Sequence, residues 1–283
     1  MPIFKHPNKL FFLTHFFLNL FVATIANGGE TPLPEKCLVV LITSYNNQNW
    51  ISQNLKSVLY QKYSNYRVIY IDDCSTDQSA LIVQSYARKF PQNIEFQFIR
   101  NQKRVGALEN IFNAVHSCKD EEIIVSLDGD DWFSNTNVLQ EINAAYSSPN
   151  VWLTHGSLIE YPNNSTLWSI PIPQEIINTS SFRKYRCPSH LRTFYAWLFK
   201  QIKYEDLIYE NVFFPMAWDQ AMMFPMIEMA GERHSFISKI VYVYNVANAL
   251  NDNKVNPHLQ NFLEACIRAK TPYKRLEKSP LEK

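Results

Sequence analysis

"CLVVLITSYNNQNWISQNLKSVLYQKYSNYRVIYIDD", residues 37–73, changes hydrophobic period twice. It begins with an unbroken apolar run, "CLVVLIT", as a central parallel strand does when both of its faces are buried. Ile51, Leu55, Val58 and Leu59 then recur at helical spacing, and "RVIYID" is again a strand-type run. The alternation continues outward. "SALIVQSYARKF" has a helical pattern, "IEFQFIR" that of a strand, and "ALENIFNAVHS" puts Leu108, Ile111, Phe112 and Val115 on one helical face. "EIIVSLD" is the fourth strand. Four strands separated by three helices predict a doubly wound α/β sheet over residues 37–128.

Beyond that point the pattern is less regular. Residues 135–146 are expected as a helix and 151–160 as a strand. Residues 161–188 have a loop composition, with four prolines and several Asn, Ser and Thr. "HLRTFYAWLFKQI" and "DQAMMFPMIEMAG" are expected as helices, the second kinked by Pro225. "HSFISKIVYVYNV" is expected as a closing strand.

The chain of 283 residues is long enough for one large domain or two small ones. Its formal net charge of +1 gives no field directed at nucleic acid. Abundant aromatics argue against disorder. Five cysteines, widely spaced and odd in number, make neither a CxxC nor a zinc pattern. Residues 1–26 differ from the rest: Lys5, His6 and Lys9 precede "LFFLTHFFLNLFVATIA", a pattern for a cleaved signal peptide or an uncleaved membrane anchor. Either would associate the chain with a membrane or export it, and association with the cytosolic face stays open. Residues 27–36 are a linker, 37–250 the folded body, and 251–283 a polar, basic tail.

In open α/β sheets, ligands bind outside the carboxyl ends of the strands. Here the first strand discharges Thr43, Ser44, Tyr45 and Asn46, and the second Asp72 and Asp73. The third leads to Asn101 and Arg104, and the fourth to Asp128, Gly129, Asp130 and Asp131. Singly, such residues serve as helix caps and turn formers. Together, five carboxylates at one edge would repel one another, and a divalent cation would relieve that. Carboxylate oxygens select Mg²⁺ or Mn²⁺ and leave room for phosphate, for which Arg104 is a partner. Gly129 between the acids is expected to keep a nucleotide's approach clear.

The strand–"TSYN"–helix–strand–"DDCSTD" arrangement and "NQKRVGALENIFNAVHSCKDEEIIVSLDGDDWF" resemble the signature of family 2 glycosyltransferases of the GT-A fold over about residues 37–133. The resemblance implies a nucleotide-sugar half at 37–133 and an acceptor half at 134–250. It implies a nucleoside diphosphate sugar as donor, most often UDP-linked, and a glycan, lipid or protein acceptor. Thr43 and Tyr45 would line the base pocket, with Asp73 at the base edge and Asp72 beside it. Arg104 would reach the nucleotide and diphosphate, and Asp128 the ribose. Asp130 would hold the metal, with Asp131 a second candidate.

The resemblance also implies inversion at the anomeric carbon, with a carboxylate taking the acceptor's proton. Asp219 in "AWDQAMM" stands where that base is expected, although Trp218 replaces the acid that often precedes it. A plain helix N-cap is the alternative for Asp219. His190 and Arg192 are candidates for acceptor or donor contacts, and Trp218 for packing on a sugar. The rival reading is a non-catalytic nucleotide-sugar or glycan-binding protein on the same fold.

Overall fold

The computed structural model describes residues 33–166 and 169–282. The expected signal or anchor at residues 1–26 lies outside them. Among the described residues no helix is long and apolar enough to cross a membrane.

The order is β1 (Leu38–Ser44), α1 (Ile51–Leu59), β2 (Tyr66–Asp72), α2 (Ser79–Ala87), β3 (Phe96–Arg100), α3 (Ala107–Ser117) and β4 (Ile123–Asp128). There follow β5 (Trp132–Phe133), α4 (Val138–Ala145), β6 (Leu153–Tyr161), α5 (Gln174–Asn178), β7 (Arg192–Tyr195) and α6 (Ala196–Lys200). A small hairpin, β8 (Ile208–Tyr209) with β9 (Val212–Phe213), precedes α7 (Trp218–Ala230), β10 (His234–Asn245), α8 (Asp252–Val255) and α9 (Pro257–Ala269). The main sheet runs β3-β2-β1-β4-β7-β6-β10-β5. Its first four strands are parallel, as the alternation predicts, and their carboxyl ends lie level: Thr43 pairs with Asp128 and Ser44 with Asp72.

Strand β1 explains why its sequence is apolar without a break. Val39 and Leu41 enter the core on one side of the sheet, while Leu38, Val40 and Ile42 enter the core on the other. Helices α3, α6 and α7 contribute to the first core and α1 and α4 to the second. Truncating any of these β1 side chains to Ala removes a wholly buried group, a loss of about 2–5 kcal/mol for the larger ones.

Two expectations fail. "HLRTFYAWLFKQI" is a strand followed by a short helix, not one helix. Its first part is clamped between β4 and β6, with Thr193 opposite both Val125 and Thr154. Thr193 Oγ1 is bonded to Tyr146 Oη at 2.9 Å and Thr154 Oγ1 at 2.7 Å. The β-branched and aromatic run "TFY" suits that pleat better than a helix.

The segment expected as a polar, basic tail, 251–283, begins with two helices, α8 and α9. Helix α9 buries Leu263 and Ile267 in the first core, an i, i+4 pair on its inner face. Its basic residues are engaged: Arg268 Nη1 donates to the carbonyls of Arg183 and Tyr185 at 2.6 and 2.7 Å. The buried Arg183–Glu228 pair, bidentate at 2.6 and 2.9 Å, ties this region to α7. Arg183 Nη1 also donates to the Ile267 carbonyl. Chain from Leu33 onward forms one compact unit.

Candidate active site

The level carboxyl ends of β1 and β4 open into a cavity of about 620 Å³. Of the residues singled out in the sequence, Thr43, Tyr45, Arg104, Asp128, Asp130, Asp131, His190, Arg192, Trp218 and Asp219 line it. A smaller recess beside it adds Asp73 to Thr43, Tyr45 and Arg104. The guanidinium carbon of Arg104 lies 3.9 Å from the Tyr45 ring centroid, a cation–π contact.

The two acids ending β2 have different surroundings. Asp73 accepts from Asn101 Nδ2 at 2.7 Å, Val105 N at 3.0 Å and Gly106 N at 2.8 Å. Burial alone would raise its carboxyl, but these donors prevail and hold it below the usual range. Asp73 therefore shapes the loop that carries Arg104. Gly106 makes this possible with a φ of 94°, a backbone state that favours glycine. Asp72 is a correction: it is wholly buried and lines neither space. Its Oδ1 accepts from Ser75 N at 3.2 Å and its Oδ2 lies 3.3 Å from Arg100 Nε. It terminates β2 and faces Arg100 of β3.

The β4 acids also differ among themselves. Asp128 Oδ2 accepts from His190 Nε2 at 3.1 Å. Burial opposes ionisation of Asp128, yet the His190 hydrogen bond and the nearby Arg192 charge carry its carboxyl below the ordinary value. Burial and Arg192 in turn depress His190, so the imidazole is neutral and donates. Asp130 Oδ2 accepts from a neutral amide, Asn248 Nδ2, at 2.7 Å. Burial pushes it up to about 6, with the Asp128 charge adding to the effect.

Asp131 is fully buried, with Oδ2 taken by Tyr242 Oη and Oδ1 by Asn245 N, both at 2.7 Å. Burial and the two neighbouring acids raise it well above its usual value. It buttresses the end of β10, so Asp130 is the freer of the two expected metal acids.

Ligand atoms of Asp128, Asp131 and His190 lie within 4.8 Å of one another, a grouping of a kind that can hold a metal ion, with Asp130 beside it; carboxylate oxygens suit Mg²⁺ or Mn²⁺. Burial, and then the neighbouring acids, raise both Asp130 and Asp131.

Gly129 is required for a reason other than the expected one. A Cβ there would stand 2.5 Å from Ser44 Cβ and 2.9 Å from Asn47 Nδ2. The close approach is to β1 and its turn, within the protein.

On the opposite wall, α7 begins after Ala217, whose φ is 53°. Its first turn presents Trp218 and Asp219. Asp219 Oδ2 accepts from Arg192 Nη2 at 2.7 Å. Among the described residues no side chain caps α7, so the expected alternative of a helix N-cap does not describe Asp219.

The sequence reading missed the third wall: Asn248, Leu250, Asn251, Asp252, Val255, Leu259 and Gln260. Gln260 accepts from Ala217 N at 2.9 Å and so helps set the start of α7. Asp252 is pushed up to about 6 by burial and then by Asp219 and Asp128. The i, i+4, i+8 apolar pattern of Leu259, Leu263 and Ile267 was the available signal.

With a cavity at the carboxyl ends of its doubly wound sheet, the chain has the GT-A fold, as the match to solved structures shows. The fold matches Staphylococcus aureus TarS in complex with UDP, with a TM-score of 0.57 and 20% identity over 74% of this chain and 60% of that one. It also matches the mannosyltransferase PcManGT from Pyrobaculum calidifontis in complex with GDP-Man and Mn²⁺, with a TM-score of 0.57 and 18% identity over 86% and 67% of the two chains.

Residues 39–208 match the model of glycosyl transferase family 2, and the chain belongs to that family. Among curated relatives, the putative colanic acid biosynthesis glycosyl transferase WcaA of Escherichia coli is 25% identical, over 59% of each protein. An uncharacterised glycosyltransferase of Nostoc is 29% identical over 45% of this chain, and the match spans 38% of that relative's length.

Proposed function

We propose that the protein transfers a sugar from a nucleoside diphosphate sugar, a UDP-sugar above all, to an acceptor hydroxyl with inversion at the anomeric carbon. The observation that carries this reading is one cavity lined by Tyr45, Arg104, Asp128, Asp130 and Asp219 together. Its volume is of the size that encloses a small ligand. Relatives solved with UDP and with GDP-Man support a nucleotide-sugar donor.

In this reading Tyr45 packs against the base, with Thr43 and Asp73 beside it. Arg104 extends from the loop braced by Asp73 and offers its fork to the diphosphate. Asp128, oriented by His190, accepts from a ribose hydroxyl. Asp128 and Asp130 are the acids that would hold a divalent cation, Asp131 backing them from the buried side. The cation, when bound, supplies Lewis-acid charge at the leaving diphosphate. Asp219 takes the acceptor's proton as the acceptor oxygen bonds to the anomeric carbon and the bond to the diphosphate breaks. Trp218 and the 248–260 wall exclude water from that face.

The test is a panel of UDP- and GDP-sugars incubated with the protein and Mn²⁺ and scored for release of the nucleoside diphosphate. Release that disappears in Asp130→Asn and Asp219→Asn is expected. A folded protein that binds a donor without turnover would instead be the non-catalytic binder.

A further inference from the structure

His190 and Arg192 are two residues apart at the start of β7, and both line the cavity. They reach different acids. His190 Nε2 meets Asp128 at 3.1 Å, and Arg192 Nη2 meets Asp219 at 2.7 Å. One short stretch thus bridges the acid that ends β4 and the acid that opens α7.

Arg192 is an expensive residue for that place. Its side chain is 4% exposed. Nη2 is engaged by Asp219, yet Nε and Nη1 find no hydrogen-bond partner among the described residues. A buried guanidinium with idle donors is destabilising, and an apolar side chain of similar volume often serves packing better. Strand pairing does not call for it either, because β7 bonds β4 and β6 through its backbone. The hydrogen bond the guanidinium does make holds the Asp219 carboxylate. Its own place is set by the Trp218 ring, 5.7 Å from its central carbon. Among the described residues the other Asp219 oxygen, Oδ1, accepts no protein hydrogen bond.

We propose that Arg192 is the positioning residue of the proton acceptor: it grips Asp219 Oδ2 and leaves Oδ1 to face the acceptor hydroxyl. This rests on the reading of Asp219 as the base. In the transfer step the acceptor O–H proton passes to Asp219 Oδ1, the new bond forms at the anomeric carbon, and the diphosphate leaves with the electron pair. Arg192 exchanges no proton and acts through Asp219.

A misplaced base costs about 100-fold in turnover while donor binding persists. Arg192→Gln, Arg192→Lys and Asp219→Asn are compared with wild type in the full chain. UDP-glucose, UDP-galactose, UDP-N-acetylglucosamine and GDP-mannose, each with Mn²⁺, serve as probes between about pH 5 and pH 9. The readout is nucleoside diphosphate released, with thermal melting as the fold control.

Arg192→Gln is expected to lower kcat about 100-fold and to change donor KM less than about twofold. Arg192→Lys, which keeps charge but not the fork, should also leave kcat reduced. A folded Arg192→Gln with wild-type kcat, or with its loss entirely in KM, overturns the proposal. If Arg192→Gln does not fold, Arg192→Lys decides alone, and a wild-type kcat there overturns it. A wild type that releases no nucleotide from any probe sinks the transferase reading itself. Turnover by wild type and Asp219→Asn alike would sink the base assignment instead.

Discussion

Asn248 donates its side-chain amide to Asp130 Oδ2 at 2.7 Å across 118 positions of sequence. The contact joins the acidic end of β4 to a segment that lies beyond β10. The same Asn248 Nδ2 lies 3.3 Å from Asn47 Oδ1, in the turn that follows β1. The orientation of Asp130 therefore depends on both ends of the folded chain.

Asn248→Ala should weaken Mn²⁺ binding by about 10–100-fold without removing a ligand, since partners that orient a ligating group carry effects of that size. Calorimetric titration of the variant with Mn²⁺ checks this. Wild-type affinity would separate Asp130 from the metal.

Asp130 also sets a pH dependence of stability. Its ordinary value is 3.8, and burial raises it to about 6 in the folded protein. Between about pH 4 and pH 6 the folded state holds a proton that the unfolded state has lost, so this group's contribution to stability falls as pH rises through that window. Asp130→Asn, which mimics the protonated acid, should exceed wild type in stability by about 1–3 kcal/mol at pH 7.5 in chelator. The gain should vanish by about pH 4. Urea unfolding at the two pH values measures it, and Mn²⁺ should restore wild-type stability at the higher pH.

Asp219→Asn should lower kcat by about 10²–10⁴-fold, the usual contribution of general base catalysis, with donor KM changed little. Steady-state kinetics with the donor that wild type turns over gives the split. A rise in KM with kcat intact would make Asp219 a binding residue.

Leu263→Ala tests the C-terminal helix. Leu263 is wholly buried, so the loss should be about 2–5 kcal/mol in urea unfolding. A solvated tail would change stability by no more than about 0.5 kcal/mol.

Gly129→Ala should destabilise the β4 turn by about 1–3 kcal/mol, because the added methyl meets Ser44 and Asn47 and the backbone must shift. The shift should also weaken Mn²⁺ binding, measured by the same titration.

The β1–β4 half was legible because its period is unambiguous: long apolar runs alternate with helical faces, and the strand ends must then share an edge. Thr43, Tyr45, Arg104, Asp128 and Asp130 meet in one cavity for that reason. Asp72 was misjudged because adjacent residues at a strand end point to opposite sides, and the sequence alone did not say which side held the cavity. Strand β7 was hidden because Leu191, Phe194, Trp197 and Leu198 also fit a helical period; its two flanking strands decide the matter. The wall from Asn248 to Gln260 was obscured by its polar, Asn-rich composition, which masked the start of the apolar stripe of α9. Residues 1–26 lie outside the described structure.

The central claim is that the acidic floor of the cavity binds a sugar diphosphate together with a divalent cation. The most direct measurement is nucleoside diphosphate release from UDP- and GDP-sugars by the full chain, with Mn²⁺ and with chelator. The account predicts release that requires Mn²⁺ and is lost in Asp130→Asn. A folded protein that neither binds nor cleaves any donor in the panel, with or without Mn²⁺, would contradict it.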